Sequence, residues 1–78
     1  MRWALLTHAR ASFDKATRLD PSDVDAWMNL GSIAIMTKSF GEAQRAYEGA
    51  LKARPDDYDA SLGLALALRG QIDTAPDR

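Results

Sequence analysis

The sequence predicts an all-α fold of repeated antiparallel helix hairpins, and three observations carry that prediction. Of the 78 residues 46% are hydrophobic, alanine leads them and β-branched residues are sparse, which favours helix over strand. Pro21 and Pro55 stand 34 residues apart, each after an alanine-rich periodic segment and before an acidic cluster. Shifting the chain by that distance superposes Ala9 on Ala43, Phe13 on Tyr47, Ala16 on Ala50, Asp25 on Asp59 and Ala26 on Ala60, so the chain repeats itself.

The first helix is expected over Thr7 to Leu19, with Leu6, Phe13, Ala16 and Leu19 on its apolar side. The second runs from about Asp23 to Met36. Ser22 or Asp23 suits its N-cap, Asp25 sits well at the positive end of the helix dipole, and Trp27, Leu30, Gly31 and Ala34 fall on one side. The third opens at Ser39-Phe40-Gly41-Glu42, a capping-box pattern in which hydroxyl and carboxylate satisfy each other's backbone donors. It continues through Ala43, Ala46, Tyr47, Ala50 and Leu51 to Lys52 and Arg54. The fourth is expected over Asp57 to Arg69, with Leu62, Leu64, Leu66 and Leu68 as its apolar content. Leu62-Gly63 copies Leu30-Gly31 at a spacing of 32, as Ile72 and Ala75 copy Phe40 and Ala43, which implies two residues lost after Pro55.

Trp27, Leu30, Gly31, Ala43, Tyr47, Ala50 and Pro55 together resemble the tetratricopeptide repeat, whose signature places Trp and Leu-Gly on helix A and Ala, an aromatic and Ala on helix B before a closing Pro. Ala34 departs from it, standing where the signature prefers tyrosine. The preceding segment supplies Ala9, Phe13, Ala16 and Pro21, and the following one Leu62, Gly63 and Ala75, with Asp59 in the place of the tryptophan. The resemblance implies a single domain over 1–78, built as a short right-handed α-solenoid. Its parts are helix B of a partial repeat at 1–23, a complete repeat at 24–57, and helix A with a helix B aborted at Ala75-Pro76 over 58–78. Gly31 in mid-helix costs about 1 kcal/mol relative to alanine. The expected compensation is a close crossing of helices A and B at which Gly31 faces Ala43, with Trp27, Leu30 and Tyr47 filling the space on either side.

Composition and motifs exclude several kinds of chemistry. Without cysteine there is no disulfide framework and no thiolate metal site. Ten Lys and Arg against eleven Asp and Glu give a net charge of −1 with no block of either sign, so neither nucleic acid nor membrane is the expected partner. The apolar run Trp3 to Leu6 is shorter than a signal-peptide core of about 7 to 15 residues. No targeting or membrane-spanning segment is read, which favours the cytoplasm. His8 is the lone histidine and has no nucleophile pattern beside it. DPSDVD and PDDYD lack the spacing and central glycine of a calcium loop and suit helix capping instead. SFGEA and LRGQI lack the phosphate-cradling pattern. No enzymatic activity, cofactor or metal is expected.

In the family the chain resembles, A helices line a concave groove that holds a peptide segment of a protein partner. The matching positions are Asp25, Met28, Asn29, Ser32, Ile35 and Met36, joined by Leu64 and Leu68 from the following helix. Relatives that grip a C-terminal carboxylate use Lys and Asn where Met28 and Ser32 stand, so the resemblance implies that this clamp is absent. A second expectation is self-assembly. The first helix of one molecule would complete the last half-repeat of another, in a contact that closes into a ring or propagates.

Overall fold

The computed structural model describes residues 3–74, which form four helices: α1 (Trp3–Leu19), α2 (Val24–Met36), α3 (Phe40–Ala53) and α4 (Tyr58–Thr74). Consecutive helices pack on one another and α2 also meets α4, so the hairpins stack side by side. Strands are absent among the described residues. Nor is any described helix long and apolar enough to cross a membrane. Ile72, which the sequence aligns with Phe40 at the opening of a further helix, lies instead within α4, and Ala75 and Pro76, where that helix is expected to abort, lie outside the described residues.

The two proline turns have the same construction. Asp20 N–H donates to Ala16 O and Asp23 N–H to Asp20 O, as Arg54 N–H donates to Ala50 O and Asp57 N–H to Arg54 O. Asp23 then caps α2 by accepting from Ala26 N–H at 3.1 Å, and Asp57 caps α4 by accepting from Ala60 N–H at 2.9 Å. Ser22 is not a cap; its amide and hydroxyl both donate to Asp20 Oδ1. Since the backbone bonds of the turn and the aspartate cap recur at 34 residues, no residues are missing from the turn or the first helical turn after Pro55, contrary to the expected deletion. Counted from the caps, Ser61 and not Asp59 is the counterpart of Trp27.

The turn between α2 and α3 ends α2 with a Schellman pair of bonds. Ser39 N–H donates to Ala34 O at 2.7 Å and Lys38 N–H to Ile35 O at 3.0 Å. This geometry puts Lys38 at φ 60°, the left-handed region usually reserved for glycine. The expected capping box at Ser39 does not form. The serine makes no side-chain cap bond and its Oγ lies 3.1 Å from Thr37 Oγ1. Glu42 instead forms an ion pair with Arg10 of α1. The carboxylate is drawn out of its own first turn by a cation on a neighbouring helix.

Small residues form the core. Ala34, Ala43, Ala67 and the Tyr47 ring make one buried cluster, and Val24, Ala50 and Ala60 another, with Met28 packed against both. Gly31 does sit at a tight crossing of α2 and α3, and the atoms nearest the place of its Cβ belong to the Tyr47 ring. A Cβ at Gly31 would lie 2.6 Å from Tyr47 Cζ and 2.7 Å from Cε2. The same ring lies against Gly63 of α4, where a Cβ would overlap Cε1 and Cζ. Gly63 therefore matches Gly31 in its contact and not in its repeat position.

The fourth helix is longer than expected and turned differently. It runs through Gly70, which lies against the Phe40 ring, to Thr74. Ala60, Gly63, Ala67 and Gly70 are its buried side, while Leu62, Leu66 and Leu68 are exposed and only Leu64 is half-buried. Close packing against an aromatic ring selects small residues, so the leucines are displaced outward. On α1, Leu6, Ala9, Phe13 and Ala16 are half-buried, and Leu19 is exposed rather than part of the apolar side.

Candidate functional site

On α2 the exposed residues Asp25, Asn29, Ser32 and Met36 recur at intervals of four, three and four, so they form one row along the helix. Beside them Met28 and Ile35 are half-buried; both pack against the cluster that holds Ala34, Ala43, Tyr47 and Ala67, and Met28 also against that of Val24, Ala50 and Ala60. Leu64 of α4 is likewise half-buried against the first cluster, and Leu68, one turn on, is exposed. The eight residues singled out in the sequence thus divide into two kinds. Asp25, Asn29, Ser32, Met36 and Leu68 are accessible to a ligand. Met28, Ile35 and Leu64 are half-buried against the core clusters.

The face has modest polarity and no preformed chemistry. One carboxylate, one amide and one hydroxyl stand beside the flexible, half-exposed Met36, a combination that hydrogen-bonds a backbone and adapts to apolar side chains. Among the described residues no three His, Cys, Asp or Glu side chains gather into a metal-binding group. Neither does any buried side-chain polar atom among them lack a partner. His8 is exposed on α1. Of the two acidic stretches, Asp23 and Asp57 are spent on caps, and Arg54 stands 3.6 Å from Asp57.

The residues read as packing positions are placed as follows. Gly31, Ala43, Tyr47 and Ala50 are buried, while Ala9, Phe13, Ala16, Trp27 and Leu30 are half-buried. Pro21 and Pro55 are exposed in their turns. Trp27 lies over Gly49, and its indole N–H donates to Pro21 O at 2.8 Å, tying α2 back to the turn before it.

Two features were missed from sequence. A cleft of about 700 Å³ opens between α1 and α3 over a floor of Trp27 and Leu30. Its walls carry Arg10, Asp14, Arg18, Glu42, Arg45 and Glu48, in equal numbers of each sign. Arg10 pairs with Glu42 and Arg18 with Asp14, so the cleft is braced by its own charges. The second feature is a row of large apolar side chains on the outside of α4, Tyr58, Leu62, Leu66 and Ile72. The spacing of Tyr58, Leu62 and Leu66, four residues apart, signals a face of its own once the small residues are recognised as the buried one.

Comparison with known proteins adds to this geometry. The family model described as tetratricopeptide repeat matches residues 6–43 and again 38–75. The protein O-mannosyl-transferase TMTC1 of Mus musculus is 44% identical over 52 residues, 67% of this chain and 6% of that protein. The peroxisomal targeting signal receptor of Komagataella phaffii is 31% identical over 64 residues, and that of Eremothecium gossypii 33% over 64; each alignment covers 82% of this chain and 11% of the receptor. The chain therefore spans about a tenth or less of the length of the curated relatives it matches. No solved structure matches it.

Proposed function

Because the chain belongs to the tetratricopeptide repeat family, we propose that it is a non-catalytic interaction module that holds a peptide segment of a protein partner along the face shared by α2 and α4. Repeats of this family generally mediate protein–protein interaction. In this reading α2 and α3 are the complete repeat, α1 is the second helix of a preceding one and α4 the first helix of a following one. The observation that carries the proposal is the exposed row Asp25, Asn29, Ser32 and Met36 with half-buried Met28 and Ile35 beside it, both packed, like Leu64, against the core. Such a row supplies polar atoms for a peptide backbone and soft apolar surface for its side chains. Relatives named as receptors of a targeting signal support a peptide as the occupant.

Selection of peptides from a random library on the purified chain tests this. Met36→Glu and Ser32→Arg should each abolish binding of the selected peptides and leave helicity unchanged, because both side chains are exposed. Undiminished binding by both variants refutes the groove. Binding lost instead on Arg45→Glu assigns the peptide to the cleft between α1 and α3.

A second reading, self-assembly, is favoured by the exposed apolar row on α4. A stacked-repeat helix with such a face is completed by a further helix, and a neighbouring copy can supply it.

A further inference from the structure

The outer face of α4 has a symmetry that no contact among the described residues uses. Tyr58 and Ile72 are each 76% exposed, and between them Leu62 and Leu66 are 49% and 47% exposed. Asp59, Leu62, Leu66 and Arg69 follow one another at intervals of three, four and three, the spacing of a coiled-coil seam. In that register Tyr58, Ala65 and Ile72 flank the seam on one side. All seven residues are exposed.

We infer that this face docks on the same face of a second copy, the two α4 helices running antiparallel about a two-fold axis close to residue 64. Antiparallel pairing about that point puts Leu62 beside the partner copy's Leu66, and Leu66 beside its Leu62. One layer further out, Asp59 meets Arg69 of the other copy, and the two-fold axis makes that pair twice. Tyr58 approaches the other copy's Ile72, and Ala65, the small residue at the middle, lets the helices come close. The charges are free to do this. Asp59 has no ion pair among the described residues, and Arg69 is held only loosely, its Nε 3.7 Å from Asp73 Oδ2 with both side chains mostly exposed.

Charge complementarity selects a copy of α4 over the other helix at hand. The first helix, which would complete α4 in a head-to-tail assembly, offers outward Leu5, His8, Ser12, Lys15 and Leu19, with its leucines at opposite ends of a polar row. That row has no apolar pair to set against Leu62 and Leu66. A single helix face is small for an interface, so the dimer is weak and forms with rising concentration.

The inference rests on the self-assembly reading and is independent of peptide binding. Sedimentation equilibrium of the 78-residue chain over a wide concentration range should follow a monomer–dimer equilibrium that stops at two. Arg69→Glu should weaken dimerisation about tenfold or more, since the symmetry counts each repulsion twice. The exchange Asp59→Arg with Arg69→Asp should restore it, and Leu62→Asp should abolish it, with helicity by circular dichroism unchanged throughout. A strictly monomeric chain overturns both self-assembly and this pairing. A dimer that the charge exchange does not restore, or open-ended oligomers lost on Leu19→Asp, overturn the pairing while leaving self-assembly in place.

Discussion

Gly31→Ala is the substitution most directly opposed by the geometry, because intrinsic preference and packing disagree in sign. In an isolated helix the change gains about 1 kcal/mol. Here the new methyl carbon would meet Tyr47 Cζ at 2.6 Å, Cε2 at 2.7 Å and Cε1 at 2.9 Å. Ordinary carbon–carbon contact is about 3.5 to 4.0 Å, so the ring must withdraw by about 1 Å. It has little room to do so, since it is 5% exposed and also lies against Gly63. Overpacking of this kind costs about 1 to 3 kcal/mol, and the ring's second contact places Gly31 in the upper part of that range. The net loss is about 1 to 2 kcal/mol, a fall in melting temperature of about 4 to 16 °C for a domain this small. Thermal and urea unfolding followed by circular dichroism measure it. Gly41, with nothing within 4 Å of where its Cβ would lie, is the control, and Gly41→Ala should stabilise by about 0.5 to 1 kcal/mol. Tyr47→Leu should make Gly31→Ala neutral or favourable by removing the ring. A Gly31→Ala variant that melts above the parent refutes the proposed contact.

Two further expectations concern the turns. Lys38→Gly should stabilise by about 0.5 kcal/mol, because relief of the left-handed backbone outweighs the added freedom of the unfolded chain; a lower urea midpoint contradicts this. Asp23→Ala should cost about 1 kcal/mol by leaving Ala26 N–H without its acceptor, and Asp23→Asn should recover most of that, both read from urea midpoints.

Helices and turns were largely legible because their causes are local. An aspartate after a proline caps α2 and α4, and the periodic alanines keep the intervening segments helical, so the expected limits of α2 and α3 agree with the observed ones to within a residue. Long-range packing was less legible. Ranking by hydrophobicity puts Leu62, Leu66 and Leu68 inside α4, whereas approach to the Tyr47 and Phe40 rings demands Gly63 and Gly70 there. Gly70 reads as a helix end until a neighbouring ring explains it. The capping box at Ser39 failed because a carboxylate chooses among all cations within reach, and Arg10 is distant in sequence. Of the proposed groove, periodicity alone separates the row Asp25, Asn29, Ser32 and Met36. That Met28, Ile35 and Leu64 are half-buried depends on the cluster that Ala67 of α4 completes.

Tyr47 serves as a spacer. A flat ring touching Gly31 on one A-type helix and Gly63 on the next fixes the gauge between them, and with it the breadth of the channel proposed to hold a peptide. Side chains along that channel can then be exchanged, and new partners accommodated, while its width stays the same. A change at position 47 would alter every such partnership at once.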